Sequence, residues 1–113
     1  MAVACENKNG IGLVTVTGSL NAPVVDSFHT QFGGWFSSQP EVKLVVVDLG
    51  GVGFMDSRGL GALISIFKRV AERSGEIRLA RPQPTVKLVL EITRTSRILP
   101  TFGTLEEAMR GVR

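Results

Sequence analysis

One stretch of the chain, residues 43–49, constrains the fold more than any other. Its sequence, Lys-Leu-Val-Val-Val-Asp-Leu, is a continuous apolar run, which is typical of a strand buried on both faces of a sheet. An amphipathic helix is predicted soon after it, because apolar residues recur there at helical spacing: Leu60, Leu63, Ile64, Phe67, Val70 and Ala71. A buried strand that leads into such a helix predicts a crossover connection and a sheet covered by helices.

The segments before this strand predict a hairpin and a first helix. Residues 3–8 and 11–17 flank Asn9-Gly10, a dipeptide that tolerates positive φ at both positions and favours a two-residue turn. Asn21 is expected to cap a helix that has Pro23 in its first turn. The chain is therefore expected to open with two antiparallel strands followed by a helix.

The second half of the chain continues the alternation of strand and helix. Residues 76–80 read as a short strand, and Pro82 and Pro84 break the chain before the next helix. Ile98-Leu99 is expected to return to the sheet. Thr104 with Glu107 three residues later forms the pattern of a capping box, which predicts a last helix. At 113 residues, the chain has the length of one domain with a core that needs no disulfide.

Ser57 is the residue that most invites a functional explanation. It lies between the buried strand and the amphipathic helix, so we expect it at a helix N-terminus. Unpaired backbone N–H groups and the positive end of the helix dipole would favour an added phosphate or a bound anion there. A purely structural role is the main alternative, because serine and aspartate are preferred N-cap residues and Asp56-Ser57 could precede any helix.

The motif around Ser57 is similar to that of a known family. The segment Phe-Met-Asp-Ser-Arg-Gly-Leu-Gly at residues 54–61 resembles the anti-sigma factor antagonists of the STAS domain superfamily. Residues 13–21, Leu-Val-Thr-Val-Thr-Gly-Ser-Leu-Asn, resemble the family's strand that ends in Thr-Gly-x-Leu-Asp. The resemblance implies a single STAS domain over residues 1–113. Its fold would be α/β, a mixed sheet of four to five strands with about four helices packed mainly on one side.

The resemblance also implies a regulatory function. The unmodified protein would bind a serine kinase that doubles as an anti-sigma factor and would thereby release a sigma factor. Ser57 would be the phosphoacceptor that switches binding off, and a phosphatase would reset it. The protein would act in the cytoplasm, would regulate transcription by partner switching and would not be an enzyme. The implied partner-binding residues are Asn21, Asp56, Ser57, Arg58, Gly59 and Leu60.

Two residues depart from the family pattern. Arg58 stands where the family commonly has serine or threonine, and Asn21 stands where it has aspartate. Arg58 could neutralise part of a phosphate's charge. It also favours the alternative function of a STAS module that is not phosphorylated and instead binds a nucleotide or anion, or scaffolds a signalling complex.

Other functional classes find little support in the sequence. A serine hydrolase would need His29, the one histidine, to reach Ser57 from the first helix, and a role on the helix surface is favoured. Asp48 and Asp56 lack a third ligand for a metal, so hydrogen bonds to loop amides are expected, and no cofactor is predicted. Cys5 is expected to be an unreactive, half-buried strand residue.

Charge and hydropathy indicate which kinds of partner are unfavourable for this chain. The net charge is +3 and the pI is about 9.6. The basic side chains of the second half lack interleaved aromatic residues, so a solvated face is favoured over a nucleic-acid site. These side chains are Arg78, Arg81, Lys87, Arg94 and Arg97. No apolar run approaches the roughly 20 residues that span a bilayer, and no signal peptide is expected.

Overall fold

The computed structural model describes residues 2–110. Five strands alternate with four helices and two short 3-10 helices. The strands are β1 (Ala2–Lys8), β2 (Ile11–Thr17), β3 (Leu44–Gly51), β4 (Glu76–Ala80) and β5 (Thr101–Phe102). The helices are α1 (Val25–Ser37), α2 (Ser57–Glu72), α3 (Pro84–Ile92) and α4 (Leu105–Met109). The 3-10 helices are Ala22–Val24 and Thr95–Arg97.

The strands form one mixed sheet in the order β1-β2-β3-β4-β5. β1 and β2 are antiparallel, and Asn9 and Gly10 join them with φ of 55° and 90°, as the turn dipeptide predicted. The remaining pairs are parallel, because each is connected through a helical crossover. This arrangement confirms the predicted mixed α/β fold.

The sheet is covered on both faces, although unequally. Val45 and Val47 of β3 point into the main core, which α1, α2 and α3 close. Leu44 and Val46, which alternate with them, belong to a smaller cluster that includes Ala108 of α4. The run from residue 44 to residue 49 is thus buried on both sides, with Lys43 exposed just before it, and the helices lie mainly on one side, as predicted.

Three local predictions differ from the structure. Ile98-Leu99 does not pair with the sheet, because the 3-10 helix at Thr95–Arg97 holds the Leu99 amide on the Thr95 carbonyl, and β5 begins only at Thr101. Asn21 occupies a cap position, but its side chain makes no cap hydrogen bond and the first turn is 3-10. Arg78 does not lie on the solvated basic face where it was expected, because it is buried and donates to the Ala108 carbonyl.

Candidate functional site

The candidate site lies where the loop after β3 enters α2, and Asp56 organises it. Asp56 is the N-cap of α2, and its Oδ1 accepts a hydrogen bond from the Gly59 amide at 2.8 Å. Its Oδ2 accepts from the Ala22 amide at 3.1 Å, in the first turn of the 3-10 helix that precedes α1. One carboxylate therefore satisfies donors at two helix starts, which explains why the Asn21 side chain is not needed as a cap.

Backbone pairing brings the Asn21 segment alongside the Ser57 motif. Leu20 and Met55 form a parallel bridge. The Leu20 amide donates to the Phe54 carbonyl at 2.9 Å, and the Asp56 amide donates to the Leu20 carbonyl at 3.3 Å. The structure thus brings Asn21 and Asp56, which are 35 positions apart in the sequence, to one edge of the molecule.

Gly59 permits the close approach of these two segments. A Cβ built on Gly59 would lie 2.1 Å from the Leu20 carbonyl oxygen, a separation that no side chain can accept. Gly59 and the following Leu60 are both buried. They support the loop from behind, so of the six predicted partner-binding residues these two present no side chain at the surface.

Ser57 and Arg58 are exposed at the start of α2. Ser57 is the first helical residue, and Asp56 takes the capping role. The helix amide of Gly59 lowers the pKa of the Asp56 carboxyl, with further lowering from the amides of Ala22 and Arg58 and from the Arg58 charge, against a smaller opposing effect of desolvation. Asp56 is therefore ionised at neutral pH, in the residue that directly precedes Ser57.

The other residues considered from the sequence do not join this site. Asp48 binds the Arg81 guanidinium through both oxygens, at 3.0 and 2.9 Å, and accepts from the Gly50 amide. His29 lies on α1 and lines a shallow groove together with Arg69 of α2. At 1.5 Å per residue, Arg69 is about 18 Å along α2 from Ser57. Burial raises the pKa of the Cys5 thiol to about 11, which suits an unreactive residue.

Two features of the site were not predicted. Phe54 is 54% exposed beside Ser57, although a large aromatic side chain in a loop usually packs inward. Thr85 of α3 donates to the Gly53 carbonyl at 3.1 Å, and Gln83 donates to the Gly50 carbonyl at 2.9 Å, so α3 braces the loop. The exposed Phe54 could have been suspected from its place among turn residues, whereas the bracing required the tertiary structure.

Neither a metal centre nor a membrane-spanning helix is found in the part of the chain that the structure describes. Within residues 2–110, no three histidine, cysteine or acidic side chains cluster in a way that could hold a metal ion. No helix in that range combines the length and apolar character that crossing a bilayer requires.

The chain matches one family model over nearly its whole length, and it is similar to individual proteins in sequence and in structure. The family model for the STAS domain matches residues 2–108. The anti-sigma F factor antagonist of Paenibacillus polymyxa is 24% identical over 90% of this chain and 86% of its own. A crystal structure of a candidate anti-sigma factor antagonist from Thermotoga maritima has a TM-score of 0.87 at 23% identity, covering 95% of this chain and 91% of that one.

The anti-sigma factor antagonist SpoIIAA provides a third comparison, in an unphosphorylated and a phosphorylated form. Its unphosphorylated form has a TM-score of 0.80 at 22% identity, over 99% of both chains. The phosphorylated form of the Bacillus protein has a TM-score of 0.74, also at 22% identity, over 99% of this chain and all of that one. Both structures have the same fold as the present chain.

Proposed function

The chain belongs to the STAS domain family, and we propose that it is an anti-sigma factor antagonist controlled by phosphorylation of Ser57. The unmodified form binds an anti-sigma factor that is also a serine kinase, so that a sigma factor is released. The kinase then phosphorylates Ser57 and ends the complex, and a phosphatase restores the binding form. The names of the relatives support the antagonist role, and a relative solved in a phosphorylated form supports the switch.

The observation that supports Ser57 as the phosphoacceptor is that its side chain does not cap the helix. Asp56, not Ser57, caps α2, and in the described hydrogen-bond network the Ser57 hydroxyl has no protein partner. Ser57 is also exposed. A kinase can therefore reach the hydroxyl, and its modification removes no hydrogen bond from the fold.

The expected effect of the phosphate follows from its surroundings. A phosphoserine adds a charge of about −1.5 to −2, close to the positive end of the α2 dipole, so the fold tolerates it. The neighbouring Asp56 carboxylate is ionised and held by the Gly59 and Ala22 amides, so it cannot turn away. The phosphate must therefore point outward, where it changes the charge of the surface that the partner covers.

We place the partner surface on Asn21, Asp56, Ser57 and Arg58, with Gly59 and Leu60 buried behind them. Phe54 adds an exposed apolar group to the same edge. These residues come from two loops that backbone hydrogen bonds and Asp56 hold together, so the surface is preformed. A preformed surface suits a partner switch, because binding requires little ordering.

The alternative of an anion or nucleotide site at the start of α2 is less well supported. Such a site would use the free amides of the first helical turn. The Gly59 amide already donates to the Asp56 side chain, and the Leu60 amide donates to the Asp56 carbonyl at 3.0 Å. The ionised Asp56 would also repel an unattached anion, whereas it does not prevent a kinase from modifying Ser57.

Incubation with ATP and the serine kinases of the same organism, followed by intact-mass measurement, tests the proposal. We expect one phosphate on the wild type and none on Ser57→Ala. Ser65→Ala is the matched control, because Ser65 is also exposed on α2 and its variant should be phosphorylated normally. Phosphate mapped to Ser19, Ser65 or Thr95 would refute the assignment.

A second variant separates the switch from a structural role. Ser57→Asp should weaken binding of the kinase while changing the melting temperature little, since a carboxylate in the first turn of a helix is tolerated or mildly favourable. Calorimetric titration and a melting curve would show the opposite pattern, retained affinity and lost stability, if Ser57 were only structural.

A further inference from the structure

Three large apolar side chains are exposed on the side of the molecule where α3 meets the Ser57 loop. Leu88 and Ile92 are 55% and 70% exposed, and Phe54 is 54% exposed. Leu88 and Ile92 are four positions apart and therefore share one face of α3. The opposite face of α3 is fully used by the core, where Val86 and Leu90 are buried. We refer to Phe54, Leu88 and Ile92 as the apolar ridge.

The apolar ridge continues from the proposed phosphorylation site. The Thr85 hydroxyl donates to the carbonyl of Gly53, which precedes Phe54 in the chain. Leu88 and Ile92 follow Thr85 by three and seven positions, so the three residues share one face of α3. The ridge thus starts at the loop that leads to Ser57 and runs about 10 Å along α3 at 1.5 Å per residue. A partner that covers Ser57 and Phe54 would meet Leu88 and Ile92 next.

The exposed charges on α3 and on the turn that follows it are mostly positive. Lys87, Arg94 and Arg97 are exposed on α3 and the turn that follows it, and Glu91 is the one acidic residue among them. None of the four takes part in an ion pair within residues 2–110. Exposed Arg58 adds a further positive charge near the Ser57 end of the ridge. The surface therefore complements an apolar segment flanked by acidic side chains.

We propose that the apolar ridge is a second docking site for the same anti-sigma factor, occupied by an apolar segment of that partner with acidic flanks. The inference rests on the proposed function and extends the partner surface from the Ser57 loop to the end of α3. Acidic flanks on the partner also explain how one added phosphate weakens the complex, because it brings negative charge toward negative charge. A second copy of this chain is disfavoured, since a symmetric contact would bring the positive flanks together.

The test measures the dissociation constant of the kinase that phosphorylates this protein against ridge variants. Leu88→Gln and Ile92→Gln remove apolar contact at exposed helical positions, so folding should be preserved, which a melting curve checks. Because Leu88 and Ile92 are 55% and 70% exposed, at least half of each is available for burial by a partner, and each variant should weaken binding about fivefold and the double variant about 25-fold. The conservative pair Leu88→Met and Ile92→Val should bind within about twofold of the wild type.

Charge reversal provides an independent test of the flanks. Arg94→Glu should weaken binding, whereas Lys68→Glu, the same charge change at an exposed position on α2, should not. If the kinase binds wild type and the Gln variants equally, the ridge proposal is overturned while the proposed function stands. If no anti-sigma factor of the organism binds the wild type, both are overturned. A dimer in sedimentation that Leu88→Gln dissociates, or binding to phosphatidylserine vesicles that it abolishes, would assign the ridge to another occupant and overturn the proposal.

Discussion

Replacing Gly59 with alanine tests the packing that holds the two loops of the site together. The added Cβ would lie 2.1 Å from the Leu20 carbonyl oxygen and 2.8 Å from its carbonyl carbon. These are backbone atoms of a residue that is fully buried and whose amide and carbonyl both bond the Ser57 loop. They cannot move aside as a flexible side chain would, so the start of α2 must separate from residues 20–22.

The magnitude follows from two opposing effects. Overpacking a rigid site costs about 3 kcal/mol at the upper end of the usual range. Alanine in place of glycine within a helix returns about 1 kcal/mol. We expect a net loss of about 2 kcal/mol in the free energy of unfolding, or about 8 °C in melting temperature for a domain of this size.

Gly61 offers the matched control for this substitution. It lies in the same helix, is exposed, and a Cβ there would meet nothing within 4 Å. Gly61→Ala should therefore stabilise the protein by about 1 kcal/mol through helix propensity alone. Urea unfolding of the two variants measures both values. If Gly59→Ala is as stable as Gly61→Ala, the close contact between α2 and Leu20 does not exist as described.

Two further predictions concern the charges beside Ser57. Arg58→Ser should increase the loss of kinase affinity on phosphorylation by about 1 kcal/mol, or about fivefold, because the guanidinium no longer offsets the phosphate. The measurement is the ratio of the dissociation constants of the phosphorylated and unphosphorylated forms at low salt. An unchanged ratio would show that Arg58 points away from Ser57. Asp56 has a lowered pKa in the folded state, so its stabilising effect is present above the ordinary value of 3.8 and is lost as pH falls below it. Asp56→Asn should thus be less stable than the wild type at pH 7, with a gap in urea midpoint that closes toward pH 2; a gap independent of pH would contradict this.

The sequence predicted most of the fold because its local signals agree with the tertiary structure. The hairpin around Asn9-Gly10, the doubly buried β3 and the helix that begins at Ser57 are all found. Their patterns depend on turn chemistry and periodicity, which are local properties of the chain. The last strand was misplaced, because Leu99 is buried by the core while its backbone is held in a turn. Burial of an apolar residue alone does not show that it pairs in a sheet.

The sequence could not predict how the residues of the candidate site are connected. The motif drew attention to Asp56 and Ser57, yet the hydrogen bond that the Ala22 amide donates to Asp56 joins segments 34 positions apart. The same limit applies to Gly59, whose need for close approach depends on Leu20. Long-range contacts of this kind have no local signature, so the preformed surface and the apolar ridge became visible only when the loops and α3 were placed together.

In the proposed function, phosphorylation of Ser57 controls binding of a kinase-type anti-sigma factor. Calorimetric titration of that protein against the unmodified chain and against the chain phosphorylated on Ser57 alone tests it most directly. We expect tight binding of the unmodified chain and a dissociation constant at least about tenfold higher after phosphorylation, which corresponds to about 1.4 kcal/mol. Equal dissociation constants for the two forms would contradict the claim.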